Sequence, residues 1–274
     1  MKLLAPAKVN LTLLVGPTRP DGLHEVATVL QRIDLADELE LVPAPGLAVE
    51  GFGDDTLVRD ALARLAGEAG IEPAWRIRID KRIPIAAGLG GGSADAGAAL
   101  AAANARLENP LPRERLQRLA ASIGADVPFF LEPGPKLAEG AGERLTPLPG
   151  FPLDYWIVLA LPDGAEKRGT AGVYARFDEL GGAAAFADRG AALRAALARC
   201  REPRDLAALP PNDLSEAAGR SRLVDELLAA GAFRADVSGA GPAVYALFEE
   251  LRAAERAAAV IEAAAGVWVT RPVW

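Results

Sequence analysis

A chain of 274 residues is long for a single hydrophobic core, and with 51% apolar residues it has material for one large domain or two ordinary ones. The formal net charge of −7 argues against a nucleic-acid or anionic-membrane surface, and a solitary Cys200 leaves no disulfide framework or thiolate metal cluster. The Ala-rich stretches are broken by Arg, Glu and Asp too often to span a bilayer, and nothing after Lys2 reads as a signal peptide, so the expectation is a cytoplasmic protein, in which a local basic cleft is still free to bind a polyanionic small molecule.

In chain order, residues 8–15 alternate Val9, Leu11, Leu13 and Val15 against Lys8, Asn10 and Thr12. This is a strand that presents Lys8 and Asn10 on one polar face, roughly 7 Å apart at strand rise. Taken alone, that face is a solvated edge. Arg19-Pro20-Asp21-Gly22 is a turn, and just beyond it stand Leu23 and the single histidine, His24. Strands are expected over 26–33 and 38–42, with a short one over 47–50. Residues 56–69 set Leu57, Val58, Ala61, Leu62 and Leu65 on one helical face, with Gly70 as the stop. Trp75, Ile77 and Ile79 then alternate with Arg76, Arg78 and Asp80 in a further strand.

That strand runs through Ile83-Pro84-Ile85-Ala86-Ala87-Gly88-Leu89-Gly90-Gly91-Gly92-Ser93-Ala94 into Ala-rich sequence that reads as helix over 94–107. Gly88, Gly90, Gly91 and Gly92 lack a Cβ, so the backbone can turn through φ > 0 and bring its N–H groups close to an anion. The first helical turn adds unpaired N–H groups and the positive end of the macrodipole. Ser93 and Asp95 are available as caps, and the Ser93 hydroxyl also as a ligand to a phosphate-bound metal. No Lys separates Gly92 from Ser93, which excludes the P-loop pattern; a dinucleotide fingerprint counted from Gly88 puts its third glycine at Ser93. The bland alternative is a flexible turn before a helix.

A second helix over 112–123 closes at Gly124. Gly124-Ala125-Asp126-Val127-Pro128 then sets an acid among apolar residues, either as a turn cap or because chemistry needs it there. Residues 134–149, rich in Gly and Pro, read as a connection with a ligand-facing turn at 140–143. The apolar run over 155–161 opens a second domain, so the chain divides into 1–152 and 153–274. Lys167, Arg168 and Thr170 lie in a basic patch whose ordinary reading is a solvated face. Helices are expected over 182–201, 222–230 and 249–265, and strands over 233–237, 243–248 and 267–270. Pro211-Asn212-Asp213-Leu214 reads as a helix cap, and Ser238-Gly239-Ala240-Gly241 as a Gly-rich hairpin. This alternation predicts an α+β protein whose second half is an antiparallel sheet with helices on one side.

Three segments taken together are more specific than any one of them. Pro6-Ala7-Lys8-Val9-Asn10-Leu11-Thr12-Leu13, the glycine run from Gly88 to Ala96, and Val237-Ser238-Gly239-Ala240-Gly241-Pro242-Ala243-Val244 resemble, in order, the three motifs of the GHMP small-molecule kinases. The resemblance implies an N-terminal mixed α/β domain, a C-terminal ferredoxin-like α/β sandwich, and an active site in the cleft between them. It implies ATP as phosphoryl donor with Mg²⁺, held by Pro84, Ala86, Gly88, Leu89, Gly90, Gly91, Gly92, Ser93 and Ala94, with Ser93 toward the metal. Gly-Ala-Asp-Val-Pro matches the family segment in which the Asp is the base, which assigns Asp126, with Lys8 as its charge partner. The Asp-Gly-Leu-His loop implies a cytidine diphosphate methylerythritol as the alcohol, met by Asn10, Leu23, His24, Thr170, Tyr174, Ser238 and Gly239. In that reading His24 hydrogen-bonds the cytosine and Tyr174 stacks on it; Leu23 stands where the family has an aromatic. A homoserine or mevalonate type of GHMP kinase, a nicotinamide-dependent oxidoreductase and a non-catalytic nucleotide sensor are the alternatives. A monomer or weak homodimer is expected, with no nucleic-acid or membrane partner.

Overall fold

The computed structural model describes residues 1–52, 56–164, 169–219, 221–261 and 264–274. In chain order these form β1 (Lys2–Thr18), β2 (His24–Pro43), β3 (Ala48–Glu50), α1 (Thr56–Ala69), β4 (Trp75–Asp80), α2 (Gly91–Asn104), α3 (Arg113–Ile123), β5 (Lys136–Gly140), β6 (Arg144–Pro147), β7 (Trp156–Pro162), α4 (Thr170–Glu179), α5 (Phe186–Arg199), α6 (Arg222–Ala229), β8 (Arg234–Val237), β9 (Val244–Phe248), α7 (Leu251–Ala259) and β10 (Ala264–Thr270). Two 3₁₀ turns, Val127–Leu131 and Pro203–Ala208, complete the set. Two compact units emerge, each from discontiguous segments. Met1–Ala7, Leu35–Ile85 and Gly90–Pro133 make the first, and Lys8–Asp34, Ala86–Leu89 and Gly134–Trp274 the second.

In the first unit, residues 38–43 of β2 pair antiparallel with β4, and β4 pairs parallel with β3. The apolar side chains of β4 are buried and its charged ones exposed, as the alternation requires. Val58, Ala61, Leu62 and Leu65 of α1 are buried, as the periodicity predicts, while Leu57, expected on the same face, is half-buried. Helix α2 begins at Gly91, three residues before the expected start. A Cβ at Gly91 would lie 3.1 Å from Ile83 Cγ2, so the bare glycine lets the incoming segment pack on the helix start. The strands expected over 26–33 and 38–42 are one strand of 20 residues. Asp34 and Asp37, which fall between the two expected strands, are engaged by tertiary partners: Asp37 accepts the Arg82 and Ile83 N–H groups at 2.6 and 2.8 Å, and Asp34 is bonded by the Thr270 hydroxyl.

In the second unit, residues 26–30 of β2 pair antiparallel with β5, and β5 with β6, so 134–149 is a hairpin and not a connection. Its turn is closed by the Glu143 carboxylate on the Ala141 N–H at 2.6 Å, with Gly140 at φ 78°, and that Gly- and Pro-rich frame is what hid the strands. The other sheet of this unit has the order β10-β7-β9-β8, antiparallel throughout. With helices between β7 and β8 and between β9 and β10, this is the ferredoxin-like pattern expected of the second half. Leu223 and Leu227 of α6 and Ala254 and Ala257 of α7 pack on Val158, Val244, Ala246 and Phe248. Helix α7 ends at Ala259, short of the expected 265, and residues 262 and 263 lie outside the described set. Val173 and Phe177 of α4 pack against Leu13, Val15 and Val26, which seats that helix beside the end of β1 and the start of β2. Among the described residues no helix is long and apolar enough to cross a membrane.

Candidate active site

The polar face of β1 is not a solvated edge. Lys8 and Asn10 are each 4% exposed and Thr12 is fully buried, so every polar group on that face needs a partner. Lys8 Nζ donates to Asn10 Oδ1 at 2.5 Å, and Asn10 Nδ2 donates to Thr28 Oγ1 at 2.8 Å. The Thr28 hydroxyl in turn donates to the Thr12 carbonyl at 2.6 Å. The Asn10 N–H reaches Ser238 Oγ at 3.3 Å, and that hydroxyl donates to the Gly88 carbonyl at 3.1 Å. Lys8 N–H to Leu89 O, 2.9 Å, and Ala243 N–H to Ala87 O, 3.0 Å, add two backbone ties. The second unit thus brings Lys8, Asn10, Gly88, Leu89, Ser238 and Gly239 together. Gly88, at φ 82°, could not carry a Cβ without striking the Ser238 carbonyl. A Cβ at Gly239 would sit 3.1 Å from Asn10 Oδ1 and 3.6 Å from Lys8 Nζ, so the bare glycine lets the turn lie close against both side chains.

Asn212, read from sequence as a helix cap, clamps this turn. Its Nδ2 donates to the carbonyls of Val237 at 2.9 Å and Gly239 at 2.7 Å, while its N–H is accepted by Asp236 at 2.7 Å.

In the first unit, α2 starts from Gly90 in the left-handed region at φ 70°, with no side chain capping the helix. Ala94 N–H already bonds the Gly90 carbonyl at 2.8 Å, so the N–H groups of Gly91, Gly92 and Ser93 precede the first intrahelical bond. Such a turn attracts an anion. Ser93 is half-buried there and Ala94 is buried; Pro84 is half-buried; Ala86 is exposed at φ 55°, unusual for a residue with a Cβ. Among the described residues no group of three or more His, Cys, Asp and Glu could hold a metal ion. The Ser93 hydroxyl at this turn is a group of the type that ligates a cation carried on phosphate oxygens.

Asp95 is no cap. It is fully buried, as is Asp37, and Lys81 Nζ lies 2.6 Å from Asp37 Oδ2 and 2.7 Å from Asp95 Oδ2. Burial pulls the Lys81 pKa down, but hydrogen bonds to the two carboxylates outweigh it and raise it above the ordinary value. This triad fixes the segment that enters the glycine loop and the start of α2, and sequence reasoning missed it. Gly97, also on α2, permits close contact with the 127–131 turn, where an added Cβ would be 2.6 Å from Phe130 Cβ. Asp126 stands at the N-cap position of that turn, half-buried, and its carboxylate does not cap it.

His24 lies in the second unit, its side chain 10% exposed. Its ring is 4.9 Å from that of Tyr174, tilted 41°, and 6.4 Å from Phe177, edge-on. Asp178 Oδ1 meets its Nε2 at 2.9 Å. Two of the residues expected at a cytosine are thus side by side, whereas Leu23 is 52% exposed. Thr170 is the first residue of α4 and exposed; Lys167 and Arg168 lie outside the described residues. Phe177 and Asp178 were not foreseen, although they follow Tyr174 by three and four residues, the spacing of one helical face.

The glycine cradle at a helix start and the buried Lys8 network are features of a phosphoryl-transfer fold, and the chain carries the two domains of the GHMP kinases: models of the GHMP kinases N terminal domain and the GHMP kinases C terminal match residues 56–134 and 221–266. The 4-diphosphocytidyl-2-C-methyl-D-erythritol kinase of Salinispora arenicola (strain CNS-205) is 42% identical over 94% of this chain and 86% of its own length. That of Geobacter sulfurreducens (strain ATCC 51573 / DSM 12127 / PCA) is 41% identical over 96% and 95%. A crystal structure of 4-(cytidine 5'-diphospho)-2C-methyl-D-erythritol kinase aligns over 100% of both chains with a TM-score of 0.81 at 34% identity. The chain belongs to the 4-diphosphocytidyl-2-C-methyl-D-erythritol kinase family.

Proposed function

We propose that this chain transfers the γ-phosphoryl group of ATP to the C2 hydroxyl of 4-diphosphocytidyl-2-C-methyl-D-erythritol, giving the 2-phosphate and ADP, in non-mevalonate isoprenoid precursor synthesis. The observation that carries the reading is the identity of 42% and 41%, over nearly the whole chain, to relatives that bear that name. The glycine run from Gly88 to Gly92, with Leu89, Ser93 and the flanking Pro84, Ala86 and Ala94, encloses the phosphates of ATP; the free N–H groups at the start of α2 are the physical support. Mg²⁺, when bound with the nucleotide beside Ser93, neutralises charge on the phosphates. Asp126 accepts or orients the hydroxyl proton, and the Lys8 ammonium offsets charge on the hydroxyl oxygen and the transferred group. Such transfers are catalysed mainly by positioning and electrostatics, which is the work a buried, hydrogen-bonded Lys8 is suited to. Asn10, Leu23, His24, Thr170, Tyr174, Ser238 and Gly239 hold the alcohol, with His24 and Tyr174 at the base. The enzyme acts in the cytoplasm as a monomer or weak homodimer, with its two family domains dividing near residue 152.

The test is ADP release with Mg-ATP and each of three alcohols: the cytidine diphosphate methylerythritol, mevalonate and homoserine. Turnover with the first alone is the expected result. Turnover only with another alcohol would keep the kinase and remove the cytidine reading, and binding of a nicotinamide cofactor with no ADP formed would remove both.

A further inference from the structure

We infer that Asp178 sets which nucleobase this chain accepts, by fixing the His24 ring so that Nε2 donates a hydrogen bond and Nδ1 remains an acceptor. The inference rests on the reading of His24 as the residue that meets the base. A carboxylate can only accept, so the 2.9 Å contact between Asp178 Oδ1 and His24 Nε2 places a proton on Nε2. The other polar contact of the ring, with Thr18 Oγ1 at 3.4 Å, also falls on Nε2. In the neutral form of an imidazole one nitrogen donates and the other accepts, so with the proton on Nε2 that form keeps its lone pair at Nδ1. The ring cannot easily turn over, which would carry Nε2 away from Asp178, because Tyr174 and Phe177 pack against it and Phe177 is only 3% exposed.

Asp178, Phe177 and Tyr174 all come from α4, so one helix both stacks on the ring and chooses its tautomer. An acceptor at Nδ1 suits the amino group of cytosine, which donates, and opposes the carbonyl oxygen that uracil carries at the same position. An imidazolium would donate from Nδ1 as well and reverse that preference.

The chain has a single histidine, so a protein labelled with ¹⁵N in its imidazole gives one pair of ring signals and the tautomer is read directly. The expected spectrum has the proton on Nε2 and a bare Nδ1, whose resonance moves when CDP is added and not when UDP is added. In parallel, kcat and KM are measured for the cytidine and uridine diphosphate forms of the alcohol with wild type, Asp178→Ala and Asp178→Asn. At 47% exposure the Asp178 side chain can be cut without emptying the core. Asp178→Ala is expected to raise KM for the cytidine form about tenfold, the worth of one oriented hydrogen bond, and to narrow the cytidine-over-uridine ratio, while KM for ATP holds. Asp178→Asn keeps an oxygen that can accept from Nε2 and should retain most of the ratio. A proton on Nδ1 in the wild type, or an Asp178→Ala enzyme with undiminished discrimination, would overturn the inference. A wild type that turns over neither form would overturn the proposed function instead, and the shift of Nδ1 with CDP would still decide the role of Asp178.

Discussion

Asp126 opens a turn of buried Val127, Pro128 and Phe129 without capping it. If it serves as the base, its removal should tax the chemical step and not nucleotide binding. Asp126→Asn is expected to lower kcat by ~10²–10⁴ with KM for ATP nearly unchanged, as steady-state kinetics would show. A variant with near-wild-type kcat removes the assignment. Cys200 lies at the opposite extreme of reactivity. Burial, with a smaller contribution from Asp205, pushes its thiol pKa to about 11, and the residue is 3% exposed. At pH 8 about one thiol in a thousand would be thiolate even if reagent could reach it. A disulfide reagent should therefore label the native protein slowly and the urea-unfolded protein at once; equal rates would place Cys200 at the surface.

Among the elements, those whose partners are near in sequence could be read from it. The alternation in β4 and the apolar face of α1 are carried by residues within each segment, and both fell where expected. The glycine cradle was also legible, because a turn that needs φ > 0 must be written locally at Gly88 and Gly90. The rest depended on distant partners. Asp178 meets His24 across 154 residues of chain, Asn212 meets Gly239 across 27, and Lys81 meets Asp37 across 44, separations at which a single sequence carries no pairing signal. The single run of β2 was hidden for the same reason, since the groups that satisfy Asp37 lie beyond β3, α1 and β4. The Lys81 triad is the most exacting of these contacts. Lys81→Met would leave two fully buried carboxylates without their common cation, with an expected loss of about 3–5 kcal/mol in urea unfolding. The sign of the pH dependence follows from the raised pKa of Lys81. Its contribution is fully present below the unfolded value near 10.5 and is lost only as pH rises through the higher folded value. The gap between wild type and variant should thus stay level from about pH 7 to 9; a gap that closes across that range would mean that Lys81 is not held as an ammonium.

On the scale of the whole chain, the second unit is assembled from residues far apart in sequence, and the last of them are joined to β2. The Asp34 N–H donates to Arg271 O at 3.0 Å, the Val273 N–H to Arg32 O at 3.0 Å, and Gln31 Nε2 to Val273 O at 3.0 Å, while Ile33 and Pro272 form a bridge. These ties lie more than two hundred residues apart in sequence, so their loop-closure cost is met late in folding. Contacts made late contribute little to the folding transition state and act mainly by slowing unfolding. Deleting residues 271–274 removes these three hydrogen bonds and a fourth, from the Arg271 N–H to Asp34 Oδ1 at 3.2 Å; each is worth about 0.5–1.5 kcal/mol net in a chain of a size at which ~1 kcal/mol moves Tm by about 2–4 °C. The expected result is a midpoint lower by roughly 4–24 °C and a faster unfolding rate, with the folding rate nearly preserved. None of the deleted residues belongs to the Lys8 network or touches His24, so kcat at 20 °C should hold. An unchanged midpoint would mean that the second unit closes without its last residues; a lowered folding rate with unfolding unaltered would mean that these ties form early and help to nucleate the unit.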